Sequence, residues 1–93
     1  MIRVLMVDDE PLVRRGIVAG VDWAALGCEV VGEAQSGEEG IELARRLRPE
    51  LIITDIRMPK MDGITMMNLL REEGAHAADC CLNTAAGILQ LAA

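Results

Sequence analysis

Apolar residues fall into three short runs, each ended by acid or turn residues and followed by a stretch with helical spacing. Ile2–Val7 is apolar apart from Arg3 and reads as a strand buried on both faces, as in a parallel sheet. It stops at Asp8-Asp9-Glu10, and Pro11 suits the first turn of a helix, where its missing N–H costs nothing. Leu12, Val13, Ile17 and Val18 recur at helical spacing with Arg14 and Arg15 on the other side; Gly20 weakens or ends that helix. Residues 21–27 form a connection in which Trp23 covers one end of the core. Cys28–Ala34 is a second strand, made more polar by Glu29 and Glu33, which suits an outer position. Ser36-Gly37-Glu38-Glu39 is a capping box opening a second helix. Ile41, Ala44 and Leu47 form its buried stripe, Glu42 and Arg46 an exposed pair, and Pro49 its stop. The third run, Leu51-Ile52-Ile53-Thr54, ends on Asp55. A Pro/Gly-punctuated loop leads to a helix over about residues 63–73, with Ile64, Met67 and Leu70 inward and Gly74 as terminator. Strand then helix, three times over, predicts a parallel α/β sheet with right-handed crossovers.

Composition narrows the class. Ninety-three residues make one domain at most, small for a sheet covered on both faces. With 52% hydrophobic residues, one Trp and no Phe or Tyr, the core must be aliphatic and Met-filled; Met58, Met61, Met66 and Met67 read as packing and loop filling. Fifteen acidic and nine basic residues give a net charge of -6, which argues against this segment binding nucleic acid or an anionic membrane through its own field. The three cysteines, Cys28, Cys80 and Cys81, are odd in number with two adjacent, neither a disulfide framework nor a zinc site. The N-terminal run meets acids too soon for a signal peptide, and no stretch could span a bilayer. A soluble, cytoplasmic protein is expected.

In a parallel sheet of this kind the first and third strands lie side by side and end at the same edge, where ligands of open sheets sit. Asp8, Asp9 and Asp55 therefore converge. Like charges this close repel unless a cation is held among them, and a small hard dication such as Mg²⁺ takes carboxylates while keeping several waters. A carboxylate beside bound Mg²⁺ can attack a phosphoryl group and become an acyl phosphate. A blander reading makes Asp55 a loop cap and Asp8, Asp9 and Glu10 favourable charges at a helix N-terminus. That accounts for one acidic cluster and not for its meeting with Asp55.

Val7-Asp8-Asp9-Glu10-Pro11, Asp55 after an apolar strand, and Met58-Pro59-Lys60-Met61-Asp62-Gly63 together resemble the receiver domain of bacterial two-component response regulators. The resemblance covers residues 1–74. Asp22-Trp23, Gly27, Gly32-Glu33-Ala34 and Gly37 further resemble receivers joined to AraC-type DNA-binding domains. The resemblance implies a flavodoxin-like doubly wound sheet, with strand order 2-1-3 in this part. It implies Asp55 as the residue phosphorylated by a partner histidine kinase, Asp9 as a direct Mg²⁺ ligand, Asp8 as a ligand through metal-bound water, and Arg57 as the donor of a backbone carbonyl to the metal. Pro59 and Gly63 shape the loop, and Lys60 belongs to it. The implied role is a phosphoacceptor signalling module, not an enzyme, controlling an output such as transcription through a DNA-binding domain in the full-length protein; a homodimer is left open. Two alternatives stand beside it. One is an aspartyl-nucleophile phosphotransferase or phosphatase, although haloacid-dehalogenase-like enzymes place a second acid where Arg57 stands; the other is a receiver-like fragment that accepts no phosphate. A nucleotide-binding enzyme is disfavoured, since neither G-x-G-x-x-G nor G-x-x-x-x-G-K-[ST] follows any strand.

Receivers also have a fourth strand ending in Ser or Thr and a fifth ending in Lys, and the chain stops at Ala93 before that Lys could occur. The sequence around Asp79-Cys80-Cys81-Leu82-Asn83-Thr84 is too polar for a buried strand. These two strands are therefore expected to be degenerate or missing, with residues 75–93 a divergent tail, helical against the open edge of the third strand or disordered. Thr84 is the one candidate hydroxyl in this frame, and His76 reads as a solvent-exposed tail residue. Codon degeneracy lets the same stretch, read one base later, encode Ile-Val-Val-Leu-Thr. The tail from near Ala78 is thus expected to be a frameshifted or mispredicted reading of a longer gene.

Overall fold

A computed structural model of the chain describes residues 1–73, 79–84 and 87–92. Strand β1 (Ile2–Val7) leads to helix α1 (Pro11–Gly20), a 3₁₀ turn over Ala24–Leu26, and strand β2 (Cys28–Ala34). Helix α2 (Gly37–Leu47), strand β3 (Leu51–Asp55) and helix α3 (Gly63–Glu72) follow. Strands β4 (Asp79–Thr84) and β5 (Gly87–Ala92) complete a sheet of order β2-β1-β3-β4-β5. β1 runs parallel to both β2 and β3, so the expected 2-1-3 arrangement is present, with the more polar β2 at an edge.

Alternation along the central strands divides the core between the two faces of the sheet. Leu5, Val7 and Ile52 pack with Ile41, Ala44, Met66, Met67 and Leu70 of α2 and α3. Val4, Met6 and Ile53 face the other way, with Cys28 and the half-buried Ile17, Val18 and Trp23. The Trp23 indole N–H donates to the Val18 carbonyl at 3.0 Å, which fixes the ring at the end of α1. Helix α2 opens as the sequence predicts: the Ser36 hydroxyl accepts from the Glu39 N–H at 3.1 Å. The Glu39 carboxylate reaches one residue beyond Ser36, to the Gln35 N–H at 2.8 Å. At its other end, the Arg3 guanidinium caps the carbonyls of Leu47 and Arg48.

Two helix faces differ from the expected stripes. Leu12 is 87% exposed and Val13 45% exposed, because only the later Ile17 and Val18 of α1 reach the sheet. In α3 the inward residues are Gly63, Met66, Met67 and Leu70, a tighter 3.6-residue stripe, and Ile64 is half exposed.

The tail differs more. Residues 79–84 and 87–92 are extended, where helix or disorder was expected; β4 lies parallel to β3 and β5 returns antiparallel to β4. A strand satisfies the N–H and C=O groups along the free side of β3, whereas a helix bonds its own backbone and leaves them unpaired. Gly74 and His76 lie outside the described residues. Among the described residues no helix is long and apolar enough to cross a membrane.

Candidate functional site

The site follows from strand register. Val7 of β1 is the partner of Thr54 of β3 in a parallel pair, so the next residues, Asp8 and Asp55, stand side by side where the β1/β3 pairing ends. Asp9 follows immediately. One carboxylate oxygen from each of Asp8, Asp9 and Asp55 lies within 4.8 Å of the others. The sheet edge thus gathers the three predicted acids, and the pair β1/β3 is where the chain turns from one side of the first strand to the other, the switch point at which open α/β sheets hold ligands.

Each acid sits differently. Asp8 is 1% exposed, and its N–H, its carbonyl and its Oδ1 are each hydrogen-bonded. Its N–H donates to the Ala34 carbonyl at 3.0 Å, its Oδ1 accepts from the Glu10 N–H at 2.9 Å, and its carbonyl accepts from Arg14 Nη1 at 2.8 Å. Burial pushes the Asp8 carboxyl above its ordinary value, and the charges of Asp55, Asp9 and Glu10 push the same way. The Glu10 N–H opposes them, with the net shift upward. Asp9 and Asp55 are half-buried. Asp55 Oδ1 accepts from the Arg57 N–H at 3.2 Å, and its carbonyl accepts the hydroxyl of the buried Thr54 at 3.0 Å.

The loop after β3 is built to lie close to that acid. The Gly63 N–H donates to the Ile56 carbonyl at 3.0 Å, closing the loop. A Cβ on Gly63 would stand 2.3 Å from the Asp55 carbonyl oxygen, so only glycine allows the start of α3 to come so near. Asp62 caps α3, its Oδ1 accepting from the Thr65 N–H at 2.7 Å. That bond holds the Asp62 carboxyl below its ordinary value. Three hard oxygen donors around one point, one of them a buried carboxylate, fit a small dication of the Mg²⁺ kind.

The remaining predicted residues take different places. Arg57 lies in the loop with an exposed side chain, and its observed contact with Asp55 is through its N–H. Thr84 ends β4 one position beyond Asn83, the register partner of Asp55. Two residues that sequence reasoning did not single out support the site from behind: Thr54, beneath the Asp55 carbonyl, and Arg14, on the Asp8 carbonyl. The signal for Arg14 was a cation one helical turn beyond an acid cluster.

A doubly wound α/β domain with three carboxylates gathered where its adjacent central strands end has the architecture of a receiver module. The chain belongs to the response regulator receiver domain family, which matches residues 4–92. It is 44% identical over 70 residues to the nitrate/nitrite response regulator protein NarL of Escherichia coli K12, a match covering 75% of this chain and 32% of that protein. The REC domain of AraT, a response regulator from Geobacillus stearothermophilus, superposes with a TM-score of 0.80 at 41% identity, covering 89% of this chain and 64% of that one. A two-component transcriptional regulator AraC from Clostridium phytofermentans superposes with a TM-score of 0.77 at 34% identity, covering 90% of this chain and 67% of that one. The chain spans about a third or less of the length of curated relatives such as NarL.

Proposed function

We propose that this chain is the phosphoacceptor module of a cytoplasmic two-component pathway, with Asp55 as the residue that takes the phosphoryl group. The observation that carries the reading is the meeting of Asp8, Asp9 and Asp55, with ligand atoms within 4.8 Å, at the ends of adjacent parallel strands. An Asp55 carboxylate oxygen attacks the phosphorus of a phosphohistidine on a partner kinase. The N–P bond breaks, an acyl phosphate forms, and the histidine nitrogen leaves with its electron pair. Asp9 would hold Mg²⁺ directly, Asp8 through a bound water, and Asp55 and the Arg57 carbonyl would complete the protein's share. The bound ion supplies neutralisation of the charge that accumulates as phosphate approaches three acids. The N–H of Arg57 orients the Asp55 carboxylate, and Thr54 and Gly63 fix the backbone from which it projects. In the full-length protein the phosphorylated state would bias an output domain, a DNA-binding one by analogy with NarL and the AraC regulator.

Incubation with Mg²⁺ and a small-molecule phosphodonor, followed by intact-mass analysis, tests this. One phosphoryl group is expected on the wild type and none on Asp55→Asn. Equal uptake by the variant removes Asp55 from the role, and turnover of a phosphate ester points to a phosphatase instead.

A further inference from the structure

The acid-bearing loop between β1 and α1 is gripped by a side chain outside the three-acid set. Arg14 Nη1 donates to the Asp8 carbonyl at 2.8 Å, while Nε of the same guanidinium donates to Glu33 Oε1 at 3.1 Å. The Arg14 side chain is only 11% exposed and Glu33 38%. Glu33 lies in β2, next to Ala34, whose carbonyl receives the Asp8 N–H. The same strand end thus steadies Asp8 directly and, through Arg14, from the far side. A peptide unit is planar, so holding the Asp8 carbonyl also orients the Asp9 nitrogen and the direction in which Asp9 leaves the loop.

We infer that Arg14, anchored by Glu33, is the positioning residue of the cation pocket: its hold on the Asp8 carbonyl sets the aim of Asp9 toward the bound dication. The inference rests on the reading of Asp8, Asp9 and Asp55 as a Mg²⁺ site. The guanidinium suits this task because its planar fork reaches two acceptors at fixed angles, which a lysine ammonium on a flexible stem does not reproduce. The sign of the effect separates positioning from charge. Deleting a cation near an acidic pocket should tighten Mg²⁺ binding by electrostatics alone, so weaker binding on loss of Arg14 can come only from lost geometry.

Mg²⁺ titration calorimetry and thermal unfolding of the wild type, Arg14→Met, Arg14→Lys, Glu33→Gln and Glu33→Ala form the test, with Arg15→Met as a charge control on the same helix. Loss of a group that orients a metal ligand weakens binding by about tenfold, and this is expected for Arg14→Met. Arg14→Lys keeps the charge and loses one of the two contacts, so it should also weaken binding. Glu33→Gln and Glu33→Ala lose the same charge, but only Glu33→Gln keeps an acceptor oxygen for Arg14, so Glu33→Ala should bind Mg²⁺ more weakly than Glu33→Gln. Arg15→Met should bind as tightly as the wild type or slightly more so. In metal-free protein the Asp9 amide resonance should shift in Arg14→Met, a signature that general loss of stability does not give. Arg14 variants that fold, leave that resonance in place and bind Mg²⁺ as well as the wild type overturn the inference. If Arg14→Met does not fold, Arg14→Lys and the difference between Glu33→Ala and Glu33→Gln decide instead: equal binding by the two Glu33 variants, with Arg14→Lys binding like the wild type, overturns the inference. Failure of the underlying site looks different: either the wild type binds no Mg²⁺, or Asp9→Asn binds it equally well, and the inference then falls with the site.

Discussion

Gly63→Ala probes how tightly the phosphoacceptor loop is built. The added Cβ would lie 2.3 Å from the Asp55 carbonyl oxygen and 3.0 Å from both Cγ2 and Oγ1 of Thr54. Ordinary contact begins near 3.4 Å, so the shortfall against the Asp55 oxygen is about 1 Å. Neither side yields easily: the obstacle is backbone, Thr54 is fully buried, and Gly63 is held by its N–H bond to Ile56 and by the adjoining Asp62 cap. Overpacking of this kind costs about 1–3 kcal/mol. Alanine's better helix propensity returns less than about 1 kcal/mol, and less still at a first-turn position. A net loss of about 2 kcal/mol corresponds to a fall in Tm of about 8–16 °C for a domain of this size. Thermal unfolding by circular dichroism measures it, and phosphodonor labelling of Asp55 should slow in parallel because the displaced backbone carries the nucleophile. Gly16→Ala is the matched control. Gly16 lies within α1 with nothing inside 4 Å of a built Cβ, so alanine there should stabilise by about 0.5–1 kcal/mol and raise Tm by a few degrees. A Gly63→Ala protein melting within about 2 °C of the wild type would refute the reasoning, since no version of a shift of that size is free of cost.

Asp8→Asn should raise the Tm of the metal-free protein, because it removes a buried charge while keeping an oxygen for the Glu10 N–H. The folded Asp8 pKa is raised above its unfolded value of 3.8, so stability from Asp8 is fully present below that value and lost as pH rises through the folded pKa. The advantage of Asp8→Asn is therefore greatest at neutral pH and vanishes in acid, and a variant advantage that persists unchanged below pH 3.8 contradicts this assignment. Ser36→Ala removes the hydroxyl that accepts from the Glu39 N–H and should cost about 1 kcal/mol. A Tm drop of about 4–8 °C is the expected reading.

How much of this was legible in the sequence depended on how local the signal was. Runs such as Ile2–Val7 and Cys28–Ala34, the Ser36 cap and the first-turn Pro11 are written in neighbouring residues and occur as read. The acid pocket was legible because two parallel strands ending on acids can meet only at one edge. What escaped depended on partners distant in the chain. Periodicity placed Leu12 and Ile64 inward, but exposure is decided by where the sheet lies under each helix, and both face out. Arg14 looked like a solvent-facing charge until β2 brought Glu33 beside it, 19 positions along the chain. The tail misled for the opposite reason. Its local polarity spoke against a strand, while the free side of β3 favoured one.

The register of that fourth strand sharpens the question of the tail's reading frame. Asn83 is the partner of Asp55 in the parallel β3/β4 pair, and Thr84 stands one step further along. Receivers end this strand in a Ser or Thr whose hydroxyl contacts the phosphoryl group. In the present frame the residue in register with Asp55 is therefore Asn83, and the threonine follows one position later. In the frame one base later, the permitted Ile-Val-Val-Leu-Thr begins where Asp79 stands and places a threonine where Asn83 stands, level with the phosphoacceptor. It also replaces the polar Asp79, a residue poorly suited to a strand lying between β3 and β5. The family match extends to residue 92 of the present frame. Sequencing the locus should reveal the neighbouring frame continuing open from near Ala78, with an apolar fifth strand ending in lysine downstream. A neighbouring frame closed by stop codons, or open without such a strand, would leave β4 and β5 as the true continuation of the fold, with Thr84 its only hydroxyl at that strand end.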